Sequence, residues 1–165
     1  MPRETDQPTP PGVRVGLLAP EEWGRLRDIR LAALAESPEM FGSTLERELE
    51  LEEAEWRARA EGLATVIASV AGRDVGLAGV HEFDGVWRVV AMWIDPRARG
   101  TGVVEALMGA CEDVARGAGA DTLTLAVMED NPAGLRAYRR LGFTPTGQRH
   151  HIRDGRYAAW MTKPL

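Results

Sequence analysis

Arg97-Ala98-Arg99-Gly100-Thr101-Gly102 is the segment of this chain whose residue types and spacing point most directly to chemistry. It stands between an apolar run, Val89 to Ile94, and an amphipathic run that begins at Val103. That order predicts a strand, a glycine turn and a helix. Glycines have no Cβ, so a ligand can approach the backbone closely. The free N–H groups of the helix's first turn then favour an anion, with phosphate or pyrophosphate the natural occupant. Two arginines add positive charge to a chain whose net charge is −5. Further along, Asn131 and Tyr138 lie about two helical turns apart, so they share roughly one face of a helix. A phenol has an ordinary pKa of about 10, so it is protonated at neutral pH and can donate a proton.

Three kinds of glycine turn compete for this segment. A nucleotide P-loop needs Gly-x-x-x-x-Gly-Lys-Ser/Thr, and the segment has no lysine. A dinucleotide fingerprint needs a third glycine, but Gly102 is followed by Val103-Val104-Glu105. The third pattern, Gln/Arg-x-x-Gly-x-Gly/Ala, is met at each fixed position by Arg97, Gly100 and Gly102. This resembles the acyl-CoA signature of the GCN5-related N-acetyltransferase (GNAT) family. The segment Asn131-Pro132-Ala133, Ala137-Tyr138, Leu141-Gly142-Phe143 resembles the family's second signature. The loop from Glu36 to Thr44 resembles one found in a branch of it, and the likeness runs from Val13 to Leu165. Many members have a further small residue where this chain has Val104.

The resemblance implies acetyl transfer from acetyl-CoA to an amine, by direct attack in a ternary complex. Such a reaction needs a held co-substrate, an oxyanion site, a base for the amine and an acid for the departing thiolate. The holding role falls to the backbone of Arg99, Gly100, Thr101, Gly102 and Val103, with Arg97 or Arg99 adding a charge-assisted bond. By resemblance the oxyanion donor is a backbone N–H near Trp93-Ile94. Trp93 itself reads as a packing residue walling the acceptor site. Tyr138 is the proton donor to the thiolate, and Asn131 contacts the pantetheine amides or simply caps its helix. Many relatives carry a glutamate on the strand before the turn, where Val86 to Ile94 offers only Arg88. Glu82, His81 and Glu129 remain for the base, or else a water chain. Strand alternation sends His81 and Glu82 to opposite faces, and Glu82 is favoured. Phe41, Ser43 and Thr44 are expected at the acceptor. That acceptor is expected to be a small primary amine; the alternatives are a protein N-terminus or a CoA-binding regulatory domain without turnover.

The surrounding elements must place these groups. Val13 to Leu17 alternates like a strand, and Pro20-Glu21-Glu22 opens a helix that stops before Pro38. Leu45 to Glu61 reads as one glutamate-rich helix with a solvated acidic face. Strands are expected over residues 65–70, 75–83 and 86–94, turning at Arg73-Asp74 and at Asp84-Gly85. A helix from Val103 to about Arg116 ends at glycines, and residues 122–127 return as a parallel strand. A last helix opens at Asn131-Pro132, and a hairpin turns at Asp154-Gly155. The sum is an α/β (α+β) domain: a mixed, mostly antiparallel seven-stranded sheet with helices on both faces.

At 165 residues the chain is expected to form one domain over residues 13–165, behind a disordered tail of residues 1–12. That tail has four prolines and no apolar core, unlike a signal peptide or membrane anchor. The acidic balance argues against nucleic-acid binding, and no segment has the length of a membrane span. Cys111 is the single cysteine, so a reducing, cytoplasmic setting is the default. Its helical spacing makes it a core thiol and not an acyl carrier. His150-His151 has no third ligand at suitable spacing, so no metal is expected. A homodimer is among the expected assemblies.

Overall fold

The computed structural model describes residues 10–165; the part of the expected tail that covers residues 1–9 lies outside the described residues. Pro10 to Gly12 form a turn into the first strand, where the Val13 N–H donates to the Pro10 carbonyl at 3.0 Å. In chain order the elements are β1 (Val13–Leu17), α1 (Trp23–Glu36), α2 (Leu45–Leu49), α3 (Glu53–Gly62) and β2 (Ala64–Val70). There follow β3 (Arg73–Phe83), β4 (Val86–Ile94), α4 (Val103–Gly117), β5 (Thr122–Met128), α5 (Pro132–Arg140), β6 (Thr144–Arg153) and β7 (Arg156–Pro164). The strands form one seven-stranded sheet in the order β1-β2-β3-β4-β5-β7-β6. Every neighbouring pair is antiparallel except β4–β5.

Three two-residue hairpins use left-handed residues at both central positions, the geometry that matches strand twist. Asp84-Gly85 (φ 54° and 77°) and Asp154-Gly155 (φ 51° and 70°) turn where the sequence predicts. The third turn is Ala71-Gly72 (φ 50° and 77°), not Arg73-Asp74. Gly72 supplies the left-handed position without strain, while Arg73 and Asp74 pair with Val70 and Ser69 inside the ladder. Asp74 is then fixed by Arg25, at 2.7 and 3.0 Å, and by the Ser69 hydroxyl at 2.8 Å.

The single helix expected over Leu45 to Glu61 is two helices. Glu52 is extended (φ −85°, ψ 167°), and its N–H donates to the Glu55 carboxylate at 2.9 Å, starting α3 afresh. The break turns Glu48 inward, so the acidic run is not wholly solvated. Glu48 is 2% exposed and accepts from Arg30 at 3.0 Å, with Arg59 3.1 Å away. These two guanidiniums hold its carboxyl below the ordinary range against the opposing effect of burial.

Each face of the sheet carries its own core. On one face Val103, Leu107, Met108, Cys111 and Ala115 of α4 cover Ala78, Val80, Val89, Leu125 and Val127. On the other, Leu26, Ile29 and Leu34 of α1 and Trp56 of α3 cover Ile67, Leu77 and Trp93. Side chains of this size contribute about 1.5–3 kcal/mol each when fully buried. Among the described residues no helix is long and apolar enough to cross a membrane.

Two irregularities shape the middle of the sheet. The strands β4 and β5 pair only at Arg88–Thr124 and Val89–Leu125. Beyond that point β4 stays with β3, where the Asp95 N–H donates to Val75 at 2.8 Å, and β5 stays with β7 as far as Met128–Ala158. The sheet therefore opens between them. Within β4, Val90 pairs with Gly79 and Trp93 with Leu77, so Ala91 and Met92 oppose Ala78 alone. This is a β-bulge, with Ala91 at φ 55°.

Candidate active site

The glycine turn lies at the open end of β4. Gly100 and Gly102 sit at φ 74° and 88°, and Gly102 is the residue that precedes α4. Among the described residues, no backbone or side-chain acceptor takes the N–H groups of Gly100, Thr101, Gly102 and Val103. The next two amides, in the first turn of α4, likewise have no acceptor among the described residues. Val103 is buried under the sheet and Val104 is half-buried. The Pro10 ring rests against Gly102, where an added Cβ would lie 2.6 Å from the Pro10 Cγ.

Both arginines of the turn have partners. Asp95 accepts from the Arg97 backbone at 2.9 Å and from its guanidinium at 2.9 Å. The Arg97 side chain, with its backbone N–H, pulls the Asp95 carboxyl down to about 2. Arg99 donates to the Ile94 carbonyl at 3.0 Å and to Glu36 at 2.9 Å. The Thr101 hydroxyl donates to the Ala98 carbonyl. The turn is thus fixed from within, and its unpaired groups are backbone amides.

Trp93 is 7% exposed and its Nε1 donates to Glu36 at 2.9 Å, which fits a wall residue. Trp93 and Ile94 are in register with Leu77 and Gly76, so the interruption in the ladder falls slightly earlier, at Ala91-Met92.

Tyr138 lies on α5, which Asn131 caps by accepting the Gly134 N–H at 3.0 Å. That capping bond occupies the Asn131 carbonyl oxygen. Tyr138 meets Phe143 edge to face at 6.1 Å, and its hydroxyl makes no hydrogen bond among the described residues. Burial, with Cys111 nearby, pushes its phenol up to about 12. The Cys111 thiol is fully buried and is likewise pushed up to about 12 by burial, as befits a core residue and not a nucleophile.

Four residues singled out in the sequence are placed elsewhere. Glu82 follows Val80 on the α4 face of β3, and its carboxylate accepts the Gly85 N–H at the hairpin tip. It closes a turn at the end of β4 opposite the opening. Phe41 is 5% exposed, packed in the α1 core with the Arg30 guanidinium 4.7 Å above its ring. An apolar ring on this loop gains more from burial than from facing water. Thr44 caps α2, accepting the Arg47 N–H at 3.3 Å, and the Ser43 hydroxyl supports Glu48. Their hydroxyls are engaged in building α2.

On the sheet face opposite α4, His81, one of the candidate bases, gathers with residues to which the sequence assigns no part in the reaction. His81 pairs with Arg88 across β3 and β4, and Trp160 of β7 pairs with Ala126 of β5. The Arg88 guanidinium lies 5.3 Å from the Phe83 ring and 5.0 Å from the Trp160 ring. His150 stacks on Trp160 at 4.9 Å, and His151, one residue on, turns to Tyr157 instead. Glu36 joins Trp93 to Arg99; the sequence marks it only as the first residue of the loop that runs to Thr44, with no role in the site.

The family model described as the acetyltransferase (GNAT) family matches residues 26–143. Among solved structures, the chain is similar to an acetyltransferase of the GNAT family from Streptococcus pneumoniae (TM-score 0.78, 17% identity, 93% of this chain and 99% of that one). It is also similar to yncA, a putative acetyltransferase from Salmonella typhimurium with its cofactor acetyl-CoA (TM-score 0.73, 17% identity, 93% and 94%). Nourseothricin acetyltransferase is 31% identical over 62% of this chain and 65% of its own, with a TM-score of 0.58. No curated protein matches the chain.

Proposed function

Because the chain belongs to the acetyltransferase (GNAT) family, we propose that it transfers the acetyl group of acetyl-CoA directly to the primary amine of a small molecule. The observation that carries this reading is the row of unpaired amides from Gly100 onward, set beside the opening between β4 and β5. Those amides suit a pyrophosphate, because they have no acceptor among the described residues and stand at a helix N-terminus. The opening suits an extended arm that crosses the sheet edge-on.

Acetyl-CoA supplies a thioester, whose carbonyl carbon takes the amine lone pair while sulfur leaves with the electrons of the C–S bond. The chain's own groups do the rest. The bulge at Ala91-Met92 frees backbone from the β3 ladder at the opening, which fits a donor to the carbonyl oxygen. Tyr138 holds its proton throughout the neutral range and gives it to the sulfur. The amine's surplus proton goes to solvent, and Tyr138 regains a proton from solvent once CoA thiol has left. Arg97 and Arg99 shape the turn through Asp95, Ile94 and Glu36 more than they reach outward. The buried Cys111 takes no part, which fits direct transfer in a ternary complex.

A small amine acceptor also accords with the likeness to nourseothricin acetyltransferase. Release of free CoA thiol across a panel of amines and peptides tests the reading. Turnover with small amines supports it. Turnover only with peptide N-termini would replace the acceptor class, and acetyl-CoA binding without thiol release from any amine would leave a CoA-binding domain.

A further inference from the structure

Arg88 is a half-buried cation with no anion beside it among the described residues. Its Nε is fully enclosed and has no hydrogen-bond partner, and no carboxylate pairs with its guanidinium among the described residues. The guanidinium carbon lies over the Phe83 and Trp160 rings, and none of the guanidinium N–H groups bonds a described residue. The Nδ1 of His150, stacked on the same indole, is the other enclosed polar atom without a partner. These two atoms are the only such buried orphans among the described residues. Enclosing a polar atom unpaired costs about 1–3 kcal/mol, so a polar group brought to either atom gains by pairing with it.

Their position says which ligand. Arg88 and Thr124 form one of the two pairs that close the foot of the opening between β4 and β5. To lie beside Trp160 the guanidinium must cross β5, where the exposed Ala126 leaves room above the sheet. It therefore stands on the acceptor side, directly below the gap through which the amine must meet the thioester. It also holds the strand on which many relatives carry a glutamate, so the site's fixed charge there is positive and not negative.

We infer that the acceptor is an amine bearing a carboxylate close to its nitrogen, an amino acid and not a polyamine, with the carboxylate received by Arg88. A guanidinium fork matches a carboxylate edge to edge. A cationic acceptor without an acid group would meet an unpaired positive charge. This assignment rests on the acetyl-transfer reading given above, and deepens it.

The test sets L-amino acids against their carboxamides and their decarboxylated amines in the thiol-release assay. The acids are expected to exceed their amides about 100-fold in kcat/KM, the value of a charge-assisted pair lost together with its desolvation. In Arg88→Gln that acid-to-amide ratio collapses towards one, and Arg88→Lys, which keeps the charge without the fork, lies between. Amides or decarboxylated amines used as well as the acids would overturn the assignment while leaving the acetyltransferase reading intact. Calorimetric titration of the CoA-loaded protein with an N-acetylamino acid and its amide gives an arm independent of turnover. Selective binding of the acid, lost in Arg88→Gln, supports the site, and equal binding or none refutes it. Should Arg88→Gln not fold, the wild-type ratio and Arg88→Lys decide the matter.

Discussion

The Trp93 indole and the Glu36 carboxylate are joined by a 2.9 Å hydrogen bond that ties the open end of β4 to the last turn of α1. The same carboxylate accepts from Arg99 at 2.9 Å and from the Ser37 hydroxyl, so one acid links helix, strand and glycine turn. These donors hold its carboxyl below the ordinary range although burial opposes them. Glu36→Ala leaves the buried indole N–H unpaired, at a cost of about 1–2 kcal/mol, whereas the half-exposed Arg99 pair adds little. Glu36→Gln keeps an acceptor and should retain most of that stability. Urea unfolding of the two variants side by side checks the contrast.

Tyr138→Phe should lower kcat about 100-fold while leaving the KM for acetyl-CoA unchanged. The hydroxyl makes no bond within the described protein, so stability should move by no more than about 0.5 kcal/mol. The chain has two tyrosines. Ultraviolet titration should show tyrosinate from Tyr138 forming only around pH 12, and this step should vanish in the variant. Full activity in Tyr138→Phe would remove the residue from the chemistry.

Gly102→Ala forces an L side chain into a left-handed position, which costs about 1–2 kcal/mol. Its methyl would also meet the Pro10 ring, so the turn or Pro10 must shift. The dissociation constant for CoA, measured by calorimetry, should rise about tenfold or more, with amine KM little affected. An unchanged constant would mean that the pyrophosphate binds elsewhere.

Glu48→Gln removes the charge that Arg30 and Arg59 share. Breaking a buried pair from one side costs about 3 kcal/mol, which for a chain of this size lowers the melting temperature by roughly 6–12 °C. The Glu48 pKa is depressed in the folded state, so its contribution is complete above the ordinary carboxylate pKa and is lost as pH falls through the lowered value. The wild type should therefore lose stability below about pH 4.5 more steeply than Glu48→Gln. Parallel acid melts measure this.

Ala91→Gly should stabilise the protein by about 0.5–1 kcal/mol, since glycine accepts φ 55° freely and the relief exceeds its entropic cost. Ala91→Val should do the opposite, by about 2 kcal/mol. Thermal melts of the pair test whether the bulge is held under strain.

Features carried by local spacing were legible in the sequence. The two Asp-Gly hairpins, the glycine turn and the Asn131-Pro132 helix start each depend on adjacent residues, and each stands where expected. Contacts that depend on strand order were not. Because β7 inserts between β5 and β6, Trp160 comes beside Ala126 and within reach of Arg88, and no periodicity along the chain announces that. The bulge at Ala91 has no glycine to mark it. Glu48 is one of several glutamates between residues 46 and 55, and its burial depends on two arginines from other helices. Glu82 was favoured because it is an acid on the strand beside β4, but the hairpin it closes accounts for it.

The contact between Pro10 and Gly102 bears on how the protein is handled. A group attached at Pro10 would meet the very turn whose affinity is to be measured. At the other end, the Leu165 N–H donates to Asp121 at 2.9 Å, where β5 begins, across the sheet from the turn. A carboxyl-terminal tag is therefore the neutral choice for every binding experiment above.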